Sequence, residues 1–106
     1  MPVNNPFTGR LLAEVSNASS ADAEAAIQST VDAAVPMGAL PSHARYRMLQ
    51  KIAGGLYDRR EEFARLMMAE SGKPIADARR EASRAVQTFT VAAEEAKRIP
   101  GEVIPL

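Results

Sequence analysis

The sequence predicts a mostly α-helical unit led by a short β-hairpin, and it predicts a unit that is not self-sufficient. Three observations carry this. Apolar residues recur at helical spacing in four successive stretches. The stretches are separated by Pro, Gly and Ser punctuation. Much of the apolar count is alanine, and aromatic residues are few: three Phe, two Tyr and no Trp in 106 residues. Alanine faces pack closely but bury little area each, so an isolated fold of this composition is marginal.

The hairpin is expected over residues 1–16. Asn5-Pro6-Phe7-Thr8-Gly9 has turn chemistry, because Pro6 presets φ and Gly9 accepts positive φ. Ser19 and Ser20 then offer N-caps, with Asp22 and Glu24 in the first turn of a helix over about 20–35. Its predicted buried stripe is Ala23, Ile27, Thr30, Val31 and Ala34, and Pro36 and Pro41 bracket a loop. Ser42 is the expected cap of a second helix, about 43–57, with Tyr46, Leu49, Ile52, Ala53 and Leu56 inward. Gly54-Gly55 reads as a place of close helix packing. Asp58-Arg59-Arg60 marks a break.

A third helix is expected over about 60–70, with Phe63, Leu66 and Met67 inward and Glu61 paired to Arg65. Gly72 suits a left-handed C-terminal position and Lys73 the last turn, and Pro74 suits the first position of the next helix. That fourth helix is expected over about 74–98, with a stripe of Ile75, Ala78, Ala82, Ala85, Val86, Phe89, Ala92, Ala93 and Ala96. Pro100-Gly101 closes it, and Glu102–Leu106 reads as the start of an extended element.

Bulk properties exclude several functions. Basic and acidic residues balance at 13 each, and no block carries one sign, which argues against a nucleic-acid or membrane-surface partner. No apolar run is long enough to span a bilayer, and the first residues lack the pattern of a signal peptide. There is no cysteine, hence no disulfide framework, thiolate metal site or thiol nucleophile. A soluble cytoplasmic protein is the expectation.

The candidate sites read plainly from the residues. Gly72-Lys73 is not a phosphate loop, since Met67 stands where the upstream glycine belongs and Pro74 where the hydroxyl belongs. His43, the sole histidine, reads as a surface or capping residue. Glu61-Glu62 and Glu94-Glu95 are adjacent on helices and so diverge, unlike an acid/base dyad. Arg84 lies three residues after Glu81 beside the buried stripe, where the simplest reading is a surface ion pair.

Ordered motifs add a resemblance. Asn5-Pro6-Phe7-Thr8-Gly9, Ser20-Ala21-Asp22-Ala23-Glu24-Ala25-Ala26 and Arg47-Met48-Leu49-Gln50-Lys51-Ile52-Ala53 come first. Arg60-Glu61-Glu62-Phe63-Ala64, Glu70-Ser71-Gly72-Lys73-Pro74, Ala92-Ala93-Glu94-Glu95-Ala96 and Gly101-Glu102-Val103-Ile104-Pro105 follow. Together they resemble the N-terminal segment of the NAD(P)-dependent aldehyde dehydrogenase superfamily. The resemblance implies that this chain is a fragment of an α/β aldehyde dehydrogenase fold, the opening part of its cofactor-binding domain. It implies NAD or NADP in the complete enzyme and none held by this chain alone. The implied partners are the remainder of the fold and other copies in a homo-oligomer.

The family's chemistry needs a cysteine nucleophile, a glutamate base, an oxyanion donor and a glycine-rich helix start. None of these is carried onto this chain, so no catalytic or cofactor-binding residue is assigned. Glu81-Ala82-Ser83-Arg84 resembles an E-x-x-R pattern in branches that accept anionic aldehydes, such as phosphorylated glyceraldehyde or lactaldehyde. There it implies a substrate-binding role for Arg84. Glu70 matches an acidic position associated with a structural monovalent cation. The alternative to all of this is a stand-alone helical interaction module without catalysis.

Overall fold

Residues 1–99 are described by the computed structural model. Strands β1 (Pro2–Asn4) and β2 (Leu11–Glu14) lead to helices α1 (Ser20–Gly38), α2 (Ser42–Asp58), α3 (Arg60–Ser71) and α4 (Ile75–Ala96). The predicted hairpin and four helices are present among the described residues. The expectations for Pro100-Gly101 and Glu102–Leu106 lie outside the described residues.

The two strands pair antiparallel, with Val3 opposite Ala13 and an irregularity between Val3 and Asn4. Their connection is organised by Asn5. Its carboxamide oxygen accepts the backbone N–H groups of Phe7 at 3.0 Å and Thr8 at 2.9 Å, an Asx-type turn. Gly9 sits at φ +68° as expected. The Asn5 amide nitrogen then donates to the Ala69 carbonyl at 2.9 Å, which ties the turn to the end of α3. At the same joint Gly72 adopts φ +72°, and a Cβ there would stand 2.8 Å from the Phe7 ring. Glycine is therefore needed twice over, for the left-handed backbone and for the close approach.

Helix α1 starts on a capping box. Ser19 Oγ accepts the Asp22 N–H at 3.2 Å, and the Ser19 N–H donates back to the Asp22 carboxylate at 2.8 Å. The bond from the Ser19 N–H, and a second from the Ser19 hydroxyl at 2.7 Å, hold the Asp22 carboxyl below its ordinary range. Asp22 lies in the first turn, and Glu24 falls beyond it. The helix runs past Val35 and through Pro36, so Pro36 does not open the loop. Two residues from the end, a missing N–H and a crowded carbonyl disturb little of the helix, and the Ala39 N–H still bonds to Val35 at 3.0 Å.

The expected burial of the α1 stripe is not found. No residue of α1 is buried, and Ile27, Val31 and Val35 are all exposed.

Pro41, not Ser42, is the N-terminal boundary of α2, and no side chain caps it. Ser42 is already helical, where its hydroxyl no longer meets the first free amides. Asp58 and Arg59 break the chain as expected. Among the described residues nothing packs closely on Gly54 or Gly55, since a Cβ at either would meet nothing within 4 Å. Ile52 and Leu66 are exposed where burial was expected. Pro74 precedes α4 rather than opening it, and α4 stops at Ala96, two residues short of Arg98.

Helix α4 packs against both α2 and α3. Its buried residues are Ala78, Ala82, Ala93 and Ala96, while Ala92 of the expected stripe is exposed. Ala64 of α3 joins Ala78 and Ala82 in a small core flanked by Phe63, Met67 and Ile75. Methyl-sized contacts let helix axes approach, at the expense of buried area per residue. The radius of gyration is 18.9 Å, against about 13 Å for a compact domain of this length. The helices are thus arrayed rather than gathered around one core.

Among the described residues no helix is long and apolar enough to cross a membrane.

Candidate functional site

An apolar hollow meets a cluster of charge along the N-terminal half of α4. Residues Glu81, Arg84 and Thr88 succeed one another along one side of the helix. Leu56 of α2, Phe63 and Met67 of α3, and Ala85 and Phe89 of α4 complete a groove of about 460 Å³. Its floor is apolar, and its charged rim is Glu81 and Arg84.

Beside the groove a second hollow is lined by Lys73, Asp77, Arg80, Glu81 and Arg84, three cations against two carboxylates. The Arg80 guanidinium is paired with Asp77. Lys73 Nζ donates to Glu81 Oε2. The other Glu81 oxygen lies 3.9 Å from the Arg84 guanidinium, beyond hydrogen-bond reach. The bond from Lys73, then its positive charge, hold the Glu81 carboxyl below its ordinary range. The Arg84 side chain is 75% exposed, so its planar fork of donors remains available to an anion.

The expected Glu81–Arg84 pair is therefore a loose contact. The close partner of Glu81 is Lys73, which was expected to serve the last turn of α3. Lys73 instead follows the left-handed Gly72 and reaches across the joint. The only sequence signal for it is a Lys eight positions before a Glu across Pro74, which no helical pairing rule covers.

The other candidates separate. His43 is exposed on α2. Glu62 turns to Arg59 at 2.7 Å. Glu61 turns the other way and takes two bonds from Arg79 of α4, at 2.8 and 2.9 Å, besides the expected Arg65 at 3.2 Å. Arg79, with help from Arg65, holds the Glu61 carboxyl down at about 2. Glu94 and Glu95 face Lys97 and Arg98.

Glu70 is exposed at the end of α3. Among the described residues no group of three His, Cys, Asp or Glu comes together as a metal site. The Asn5 oxygen is occupied by two amides. The whole chain contains no cysteine.

The sequence pattern described as "Aldehyde dehydrogenase family" matches residues 1–106. The chain belongs to the aldehyde dehydrogenase family. Among curated relatives of this dehydrogenase segment, it is 41% identical to a 3-sulfolactaldehyde dehydrogenase of Priestia aryabhattai, over all of this chain and 22% of the relative. Its fold superposes on aldehyde dehydrogenase 21 of Physcomitrella patens in complex with the reaction product succinate. The TM-score there is 0.96, with 44% identity over the whole chain and 22% of that protein. The glyceraldehyde-3-phosphate dehydrogenase GapN of Methanocaldococcus jannaschii, complexed with NADP, gives a TM-score of 0.93 at 34% identity, over the whole chain and 23% of that protein. The chain thus spans about a fifth of the length of the aldehyde dehydrogenases it matches.

Proposed function

We propose that this chain is the N-terminal part of the cofactor-binding domain of an aldehyde dehydrogenase. The complete enzyme would use NAD or NADP to oxidise an aldehyde with an anionic tail to a carboxylic acid. Arg84 is the residue of this chain that receives that tail. The observation that carries the reading is an exposed guanidinium, out of hydrogen-bond reach of its nearest carboxylate, on the rim of an apolar groove. An apolar wall with one fixed cation suits a short carbon chain ending in a sulfonate, carboxylate or phosphate. The sulfonate, succinate and phosphate named in the three similar proteins support the same class.

Nucleophile, base and cofactor contacts fall to the remainder of the fold, which is the principal partner. A cytoplasmic homo-oligomer is the expected setting. A stand-alone helical module would have to bury the apolar side of α1 within its own residues, and that side is uncovered here.

Steady-state kinetics of Arg84→Ala in the complete enzyme test the reading. KM should rise for charged aldehydes and stay in place for neutral ones of the same length. An equal rise for both overturns the role of Arg84.

A further inference from the structure

Arg84 differs from the other two arginines in the first half of α4. Arg79 is locked to Glu61 by two bonds, and Arg80 is paired with Asp77. Arg84 has one carboxylate nearby, Glu81, and that carboxylate is turned to another cation. In helix geometry a Glu three residues before an Arg is well placed to close on it. Here the gap is 3.9 Å, and Lys73 accounts for it, since its ammonium holds Glu81 Oε2 from across the α3–α4 joint.

We propose that Lys73 is a specificity-positioning residue: by engaging Glu81 it prevents that carboxylate from capturing Arg84 and so keeps the guanidinium open to an anionic substrate. This rests on the assignment of Arg84 made above. The physical argument is competition. A carboxylate one helical turn away is tethered at high local concentration and would take the same fork of donors that a substrate sulfonate, carboxylate or phosphate needs. Lys73 removes that competitor in two ways. It sets a positive charge against the Glu81 carboxylate, and it holds one oxygen of that carboxylate toward the joint. Lys73 is held in place in turn by the left-handed Gly72 and by Pro74, whose φ is fixed at the start of α4. The local surplus of one positive charge around this hollow is then concentrated on Arg84.

The test uses the complete enzyme and two aldehydes of equal carbon number, succinic semialdehyde and butanal. Lys73→Met should raise KM for succinic semialdehyde about fivefold, with kcat and the butanal KM little changed. Adding Glu81→Gln to Lys73→Met should restore the KM, because the competitor is gone. Glu81→Gln alone should leave the charged-substrate KM at or below that of the parent. Lys73→Arg, which keeps a cation on Glu81, should stay near the parent.

Failure of the double variant to recover overturns the proposal. So does a rise for succinic semialdehyde in Glu81→Gln alone, or a parallel rise for both aldehydes in Lys73→Met. The single variant Glu81→Gln removes no packing volume, so the proposal stays open to refutation even if Lys73→Met folds poorly. Arg84→Met separates the two claims. If it discriminates against succinic semialdehyde while Lys73→Met has no effect, Arg84 keeps its role and Lys73 loses the one proposed. If Arg84→Met does not discriminate, both fall.

Discussion

Helices α1 and α4 are both long, both amphipathic and both rich in alanine, yet their fates in this structure are opposite. Helix α4 is covered on two sides, by α2 and α3, and buries four alanines. Helix α1 buries nothing, although Ile27, Val31 and Val35 repeat at four-residue intervals along it. The contrast teaches where this segment keeps its own stability. The α3–α4 pair is a finished contact, with Ala64 and Ala78 fully enclosed. Helix α1 has an apolar side whose partner is not among the described residues. A chain covering about a fifth of its relatives' length is expected to own some contacts and to lend others.

The sharpest way to break the comparison is Val31→Asp in the complete enzyme. A carboxylate placed on a face covered by the remainder of the fold should cost about 3 kcal/mol or more, seen as lost soluble yield and a lower melting temperature. A neutral result would make α1 a free surface and remove the contrast. Gly72→Ala comes next. It forces a non-glycine residue to φ +72° and sets a methyl against Phe7, which should cost about 1–3 kcal/mol. Faster hydrogen exchange at the α3–α4 joint and in the hairpin would report it, with α1 as the internal reference.

Ser19→Ala should destabilise by about 1 kcal/mol through the lost cap. Its effect should be confined to the first turn of α1, which amide exchange resolves.

The smallest effect concerns Glu61, because exposed pairs are screened by water and salt. Its carboxyl is held at about 2 against an ordinary 4.5. A depressed folded-state value means that the stabilisation is complete above pH 4.5. It is lost progressively as pH falls through about 2. Acid titration of the melting temperature should show that slope in the parent and a flatter one in Glu61→Gln. Equal slopes would dissociate the ion pair from α3–α4 docking.

What was legible in the sequence was local. Ser19 with Asp22, the break at Asp58-Arg59 and the left-handed Gly72 are each decided within four residues, and each is found as expected. The helix stripes were legible as periodicity but not as burial, since periodicity says which side is apolar and not whether anything lies against it. Pro36 was misread because a proline removes one backbone donor without ending the helix, and the turn after it is held by the Ala39 N–H on Val35. Gly54-Gly55 was read as a packing site, yet no neighbour among the described residues comes close to it.

The candidate site divides in the same way. Glu81 and Arg84 are neighbours on one helix and are readable together, whereas the substrate role proposed for Arg84 rests on the family resemblance. Lys73 on Glu81, Arg79 on Glu61 and Asn5 on Ala69 all depend on how α3 turns into α4 or on a separation of many residues, and no spacing rule announces them.

The bond from Asn5 to Ala69 spans 64 residues, and this sets an order of events on the ribosome. The hairpin is made before α3, so its docking platform does not exist until the end of α3 and Gly72 have emerged. At about 5–20 residues per second that interval is on the order of several seconds. Through it the Asn5 amide lacks the Ala69 carbonyl that anchors the turn, with a long loop still to be closed. Among the described elements the hairpin thus waits longest for its tertiary anchor, and the turn at Asn5 stays untethered until α3 is complete.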